Sequence, residues 1–124
     1  MVSIVIVTHS TKLAEGILDE IRIMAKDIPV ALAGGDDNNN YGTSYTKIKN
    51  AIESVYSKDG VIVLTDIGSS TMTSEIVIED LNKDNILLFD GPIVESAIIA
   101  SISSQCGNDI NSIKQELIVN KNKV

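Results

Sequence analysis

His9 is the only histidine in the chain, and it stands directly after a short apolar run, Val2 to Val7. Imidazole titrates near neutrality, so it can serve as a base or a nucleophile at pH 7. A nucleophilic imidazole works best when one ring nitrogen is held and the other is free. Asp66, just past a second apolar run (Val61 to Leu64), offers a carboxylate that could do the holding. The following Gly68-Ser69-Ser70 could open a helix and turn backbone N–H groups toward a phosphoryl group. Gly35, in Gly34-Gly35-Asp36-Asp37, and Thr43, after Gly42, stand at another loop and helix start, as phosphate contacts or supports. Each has a plainer alternative. His9 could be a surface residue, Asp66 could cap the next helix, and Thr43 reads first as an N-cap.

Other chemistries fit these residues less well. A zinc site lacks a second histidine, and the one cysteine, Cys106, is remote in sequence. A Ser-His-Asp hydrolase could draw on Ser10, Ser69 or Ser70, but no G-x-S-x-G elbow is present. The single arginine, Arg22, falls far from His9, and Lys12 is the one nearby cation. Stable phosphate esters are commonly clamped by cationic forks, so this setting suits a phosphoryl group that is passed on.

These residues need a scaffold that brings positions 9 and 66 together. Val2 to Val7, Pro29 to Ala33, Val61 to Leu64 and Ile86 to Phe89 are continuous apolar runs, the mark of strands buried on both faces. Helical spacing lies between them: Leu13, Ile17, Ile21 and Met24/Ala25; Ile48, Ala51, Ile52 and Val55; Met72, Ile76 and on to Leu81. Pro92 is expected as a first helical residue, with Val94, Ile98 and Ile102 on the inner face. A last helix follows Gly107, with Asp109 as N-cap and Ile110, Ile113 and Leu117 on one face. Asn120 to Val124 reads as a frayed tail. The pattern β-α-β-α-β-α-β-α-α predicts one α/β domain over residues 1–124. Its open, parallel, four-stranded sheet has order 2-1-3-4 and helices on both faces. Ligands bind such sheets beyond the carboxyl ends of the strands, here at a switch point between strands 1 and 3. The loops at 8–10 and 65–70 flank that point.

Composition narrows the partners. With 10 Lys and Arg against 17 Asp and Glu, the net charge is −7 in 124 residues. That argues against nucleic acid and against an anionic membrane surface. No apolar run approaches the length of a membrane span, no signal sequence opens the chain, and a lone cysteine fits the reducing cytoplasm.

Val5-Ile6-Val7-Thr8-His9-Ser10 with Leu13-Ala14-Glu15-Gly16 resembles the start of the phosphotransferase subunits of bacterial dihydroxyacetone kinases, within the mannose-type enzyme IIA family. Ala33-Gly34-Gly35-Asp36-Asp37 with Gly42-Thr43, Thr65-Asp66-Ile67-Gly68-Ser69 and Pro92-Ile93-Val94-Glu95 resemble further family segments in the same order. Thr8-His9-Ser10 and Gly68-Ser69-Ser70 favour this branch over the sugar-transporting one, which typically has Thr-His-Gly and Gly-Gly-Ser-Pro. Ser96, Asp90-Gly91 and Asn38-Asn39-Asn40 depart from the branch pattern.

The resemblance implies a phosphotransferase that works through a phosphohistidine. It would take a phosphoryl group from phospho-HPr onto Nε2 of His9, with Nδ1 held by Asp66. It would pass that group to ADP on the nucleotide-binding kinase subunit. It also implies a cytoplasmic homodimer, with no permanently bound cofactor and only a transient phosphoryl group on His9. The competing readings are an enzyme IIA that hands phosphate to a sugar-specific IIB protein, a receiver-like regulatory domain, and a flavin-binding domain. The receiver lacks an acidic cluster at strand 1, and the flavin reading lacks aromatics.

Overall fold

A computed structural model describes residues 1–123. Four strands, β1 (Ser3–Thr8), β2 (Val30–Gly34), β3 (Val61–Thr65) and β4 (Ile86–Asp90), alternate with α1 (Thr11–Met24), α2 (Tyr45–Val55), α3 (Gly68–Leu81) and α4 (Ile93–Gln105). Helix α5 (Ile110–Lys123) follows. The sheet is parallel throughout, in the order β2-β1-β3-β4, as the alternation predicts.

The two-residue period of a strand divides the core in two. Ile4, Ile6, Ile62 and Leu64 face α1, α4 and α5, meeting Ile17, Ile21, Ala97, Ala100, Ile113 and Leu117. Val5, Val7, Val61 and Val63 face the other way, onto Ile48, Ile52 and Val77 of α2 and α3. Every residue of β1 is buried. Each such Val or Ile is worth roughly 1.5–3 kcal/mol in area removed from water, so the central strands form the firmest part of the molecule. Pairing aligns Thr8 with Gly34, Val7 with Thr65, and Thr65 with Asp90, which brings all four strand ends onto one rim.

Several expected helix faces are rotated. In α3 the expected inner residues Met72 and Ile76 are exposed, while Ser70, Ser74 and Val77 are inside. In α4, Val94 and Ile102 are exposed, and the inner positions are Ser96, Ala97, Ala100, Ser101 and Ser104. The large apolar side chains of α4 are spread around the helix, so they define no phase. The small side chains decide it, because they let the helix lie close to the sheet and to α1. Leu13 and Met24 of α1 likewise face solvent, beside an inner stripe of Ala14, Ile17 and Ile21.

Pro92 is the N-cap of α4, with ψ 111°, and the helix begins at Ile93. The expected frayed tail is helical through Lys123, and Lys121 donates to the Asp90 carbonyl. Val124 lies outside the described residues. The lone arginine caps the far end of α1, where Arg22 donates to the carbonyls of Ala25, Lys26 and Ile28.

Candidate functional site

His9 is the first residue past β1, and only 7% of it is exposed. Two loops fix it. Its backbone N–H donates to Asp66 Oδ2 at 3.0 Å, and its ring Nδ1 lies 3.0 Å from Oδ1 and 3.2 Å from Oδ2 of the same carboxylate. Its carbonyl accepts the Gly42 N–H at 2.9 Å. The neighbouring Thr8 hydroxyl donates to the Ser10 carbonyl at 2.7 Å, and Ser10 caps α1 by accepting the Leu13 N–H. Main chain and ring are therefore held together.

Asp66 caps no helix. It collects the His9 amide and ring, the Ser70 hydroxyl at 2.7 Å and the Ile67 N–H at 2.8 Å. Burial alone would raise its pKa. Burial is the largest single influence, but the hydrogen bonds from the His9 amide, the Ser70 hydroxyl, the His9 ring and the Ile67 N–H together outweigh it and hold the carboxyl below the ordinary carboxylate value. An ionised carboxylate only accepts, so Nδ1 of a neutral His9 carries the proton and Nε2 presents its lone pair.

Nε2 faces two hydroxyls. Ser69 Oγ is 2.5 Å away and Thr43 Oγ1 3.3 Å, and the two oxygens are 3.0 Å apart. Ser70 Oγ is 3.1 Å from Nδ1, on the held side of the ring. The fold places Ser69 and Ser70 beside His9 and Asp66, with the two serines at opposite nitrogens of the imidazole. Gly68 opens α3, whose N-cap, Ile67, supplies no side-chain acceptor. The first-turn amides of α3 are thus not taken by a capping side chain, and they lie at the positive end of a 14-residue helix.

Thr43 corrects its first expectation. The N-cap of α2 is Ser44, whose hydroxyl accepts the Lys47 N–H at 3.0 Å, and Thr43 is left to turn toward His9. Gly35 is not aimed at the Nε2 side through its amide, because its N–H donates to the Thr8 carbonyl at 2.9 Å. Its φ of +78° and a backbone oxygen 2.9 Å from any added Cβ explain the glycine on conformational grounds.

Asp36 and Asp37 are also engaged inside the loop. Asp36 accepts the amides of Asn38 and Asn40, and Asp37 accepts the Ser44 hydroxyl. Sequence reasoning missed Tyr41, whose ring centroid lies 5.2 Å from that of His9. Its sole sequence signal is an aromatic at the end of a polar loop, just before Gly42-Thr43.

Among the described residues no helix is long and apolar enough to cross a membrane. Among the same residues, no cluster of three or more His, Cys, Asp or Glu is placed to hold a metal ion.

The family described as the PTS system fructose IIA component matches residues 3–114 of the chain. The phosphotransferase subunit DhaM of a PTS-dependent dihydroxyacetone kinase from Lactococcus lactis subsp. lactis (strain IL1403) is 36% identical over 114 residues, which is 92% of this chain and 91% of that protein. The phosphoryl donor subunit DhaM of the PEP-dependent dihydroxyacetone kinase from Escherichia coli (strain K12) is 36% identical over 120 residues. That match covers 91% of this chain but 25% of the relative. The crystal structure of a phosphotransferase system component EIIA from Streptococcus agalactiae has the same fold, with a TM-score of 0.74 at 19% identity, covering 99% of this chain and 94% of that one.

Proposed function

The chain belongs to the family of the PTS system fructose IIA component, among the phosphotransferase subunits of dihydroxyacetone kinases, and we propose that it carries a phosphoryl group on Nε2 of His9 within such a kinase system. One observation carries the reading: Asp66 holds Nδ1 of the only histidine, and Nε2 points at the hydroxyls of Ser69 and Thr43.

The donor is phospho-HPr, which presents a phosphoryl group on its own histidine. The Nε2 lone pair of His9 forms the new P–N bond. The donor's P–N bond breaks, and its electron pair returns to the donor nitrogen. Nδ1 keeps its proton, and Asp66 faces the positive charge that the ring acquires. Phosphoryl transfer depends mainly on positioning and on charge stabilisation, so an oriented ring at the positive end of α3 is sufficient equipment. The Ser69 and Thr43 hydroxyls, which lie beside Nε2, can donate to its oxygens, as can the first-turn amides of α3 other than that of Ser70, which donates to the Ile67 carbonyl. With no arginine on the rim, the group stays transferable. The acceptor is ADP held by the nucleotide-binding kinase subunit, to which phosphorus passes with the reverse change at Nε2.

This carrier works in the cytoplasm and keeps no resident cofactor. A homodimer would cover the apolar faces that α4 and α5 leave exposed at Val94, Ile102 and Val119. Incubation with enzyme I, HPr and phosphoenolpyruvate should add one acid-labile phosphoryl group by intact mass. Adding the ADP-loaded kinase subunit should discharge it. His9→Ala should take no label, and a label that persists in this variant overturns the assignment.

A further inference from the structure

We propose that Tyr41 is a positioning residue that favours the phosphorylated state, because its ring face steadies the positive charge the imidazole carries while phosphorus is on Nε2. This rests on the carrier reading above.

Three consecutive residues of the loop between β2 and α2 touch His9. The Tyr41 ring lies 5.2 Å from the imidazole, centroid to centroid, with the planes 35° apart. Gly42 donates its N–H to the His9 carbonyl, and Thr43 Oγ1 reaches Nε2. The loop that carries them is braced from within. Asp36 gathers two of its amides, Asp37 holds Ser44, and Lys47 Nζ ties Asn39 Oδ1 at 2.6 Å to the Gly34 carbonyl at 2.8 Å. The placement of Tyr41 is thus built into the loop.

Tyr41 is 73% exposed, so burial does not explain it. The other two tyrosines are held by their hydroxyls, Tyr45 on Asp80 and Tyr56 on the Asp84 carbonyl. Among the described residues the Tyr41 hydroxyl has no such bond, which leaves the contact of ring on ring as its visible function.

The chemistry gives that contact a direction. The form that can accept phosphorus is the neutral imidazole with its proton on Nδ1, because only that form presents a lone pair at Nε2. When Nε2 takes the phosphoryl group, the donor nitrogen recovers its electron pair and Nδ1 keeps its proton, so the His9 ring becomes cationic beside the phosphoryl dianion. An aromatic face attracts a cation within about 6 Å of its centroid and interacts far less with a neutral ring. Asp66 and Tyr41 are the titratable groups placed against this imidazole. Asp66 also fixes the neutral ring's tautomer, whereas Tyr41 contributes mainly once the charge has formed.

The test is the equilibrium of phosphoryl exchange between phospho-HPr and the full chain, read as the phosphorylated fraction by intact mass. Tyr41→Leu keeps an apolar group without a π face and should shift the ratio toward the donor roughly two- to fivefold, the size of an exposed cation–π contact. Tyr41→Phe keeps the face and should retain the wild-type ratio. A loop that merely loosened equally in both states would slow the forward and reverse rates together and leave the ratio unmoved. An unchanged ratio in Tyr41→Leu, or an equal loss in Tyr41→Phe, overturns the proposal. A wild-type chain that takes no label, or a label that survives His9→Ala, instead overturns the carrier reading, and this inference falls with it.

Discussion

Helices α2 and α3 begin on the same rim, and each begins among hydroxyl residues, yet the two starts are built differently. Helix α2 is closed by its own Ser44, which accepts the Lys47 amide and also donates to Asp37. Helix α3 starts behind Ile67, which caps nothing with its side chain, and its Ser69 and Ser70 hydroxyls turn to His9 and Asp66. A capped helix end has at least one of its orphan donors taken by the capping side chain. An uncapped end at a partly solvated rim still has donors to offer, and that is where an incoming anion is best accommodated. A hydroxyl at a helix start is therefore free for the site when it is not itself the cap, as with Ser69 and Ser70 on α3 and with Thr43 just ahead of Ser44 on α2.

Substitutions can break this contrast. The largest effect is expected from Asp66→Asn, which removes the acceptor that fixes the His9 tautomer and orientation. His9 phosphorylation should slow by roughly 10²–10⁴-fold in a rapid-quench assay, the range typical of a misassigned imidazole proton. A near-normal rate would mean that Asp66 is only structural. Ser69→Ala deletes the hydroxyl nearest Nε2 and should slow transfer by up to about tenfold, since a hydrogen bond of this kind is worth about 0.5–1.5 kcal/mol. Ser44→Ala should do the opposite kind of damage. It should lower stability by about 0.5–2 kcal/mol in urea unfolding, as N-cap losses do, while the phosphorylation rate stays close to wild type. If Ser44→Ala slowed transfer as much as Ser69→Ala, the two helix starts would not differ in the way described.

The smallest effect is a pH dependence. The Asp66 carboxyl sits below its ordinary value of 3.8 in the folded chain, so the unfolded chain binds its proton more readily. Folding is therefore helped above the unfolded pKa, and that help fades as pH falls through the lower, folded one. The stability difference between wild type and Asp66→Asn should be flat above about pH 5 and should shrink steadily in more acid solution. A difference that grew on acidification would reverse the sign of the argument.

The strand pattern carried most of the fold, because four apolar runs without alternation leave little choice but a buried parallel sheet. It also brought His9 and Asp66 to adjacent strand ends, and that made the central pair of the site legible from sequence. What escaped was set by packing. Met72 and Val94 look like core residues by type, but the inner face of α3 is Ser70, Ser74 and Val77 and that of α4 is serine and alanine, whose small size lets the helices approach the sheet. Thr43 and Ser44 are adjacent and chemically alike, and either could cap α2; the backbone turn at Gly42 decides that Ser44 does and leaves Thr43 for His9. Tyr41 carries no motif at all. Only the fold of the loop around Asp36 brings it to the imidazole.

The grip of Asp66 on the His9 main chain has a consequence for recognition. The amide of His9 can exchange with solvent only when that carboxylate lets go, and its carbonyl is anchored to Gly42. In the carrier role proposed, the residue that would meet both a donor and an acceptor is thus among the least adaptable on the rim. Accommodation to a partner would then fall to exposed side chains on the rim such as Ile67, more than half of which lies in solvent. Rigidity at the accepting nitrogen and plasticity at its border would allow one imidazole to serve a donor and an acceptor that need share no surface.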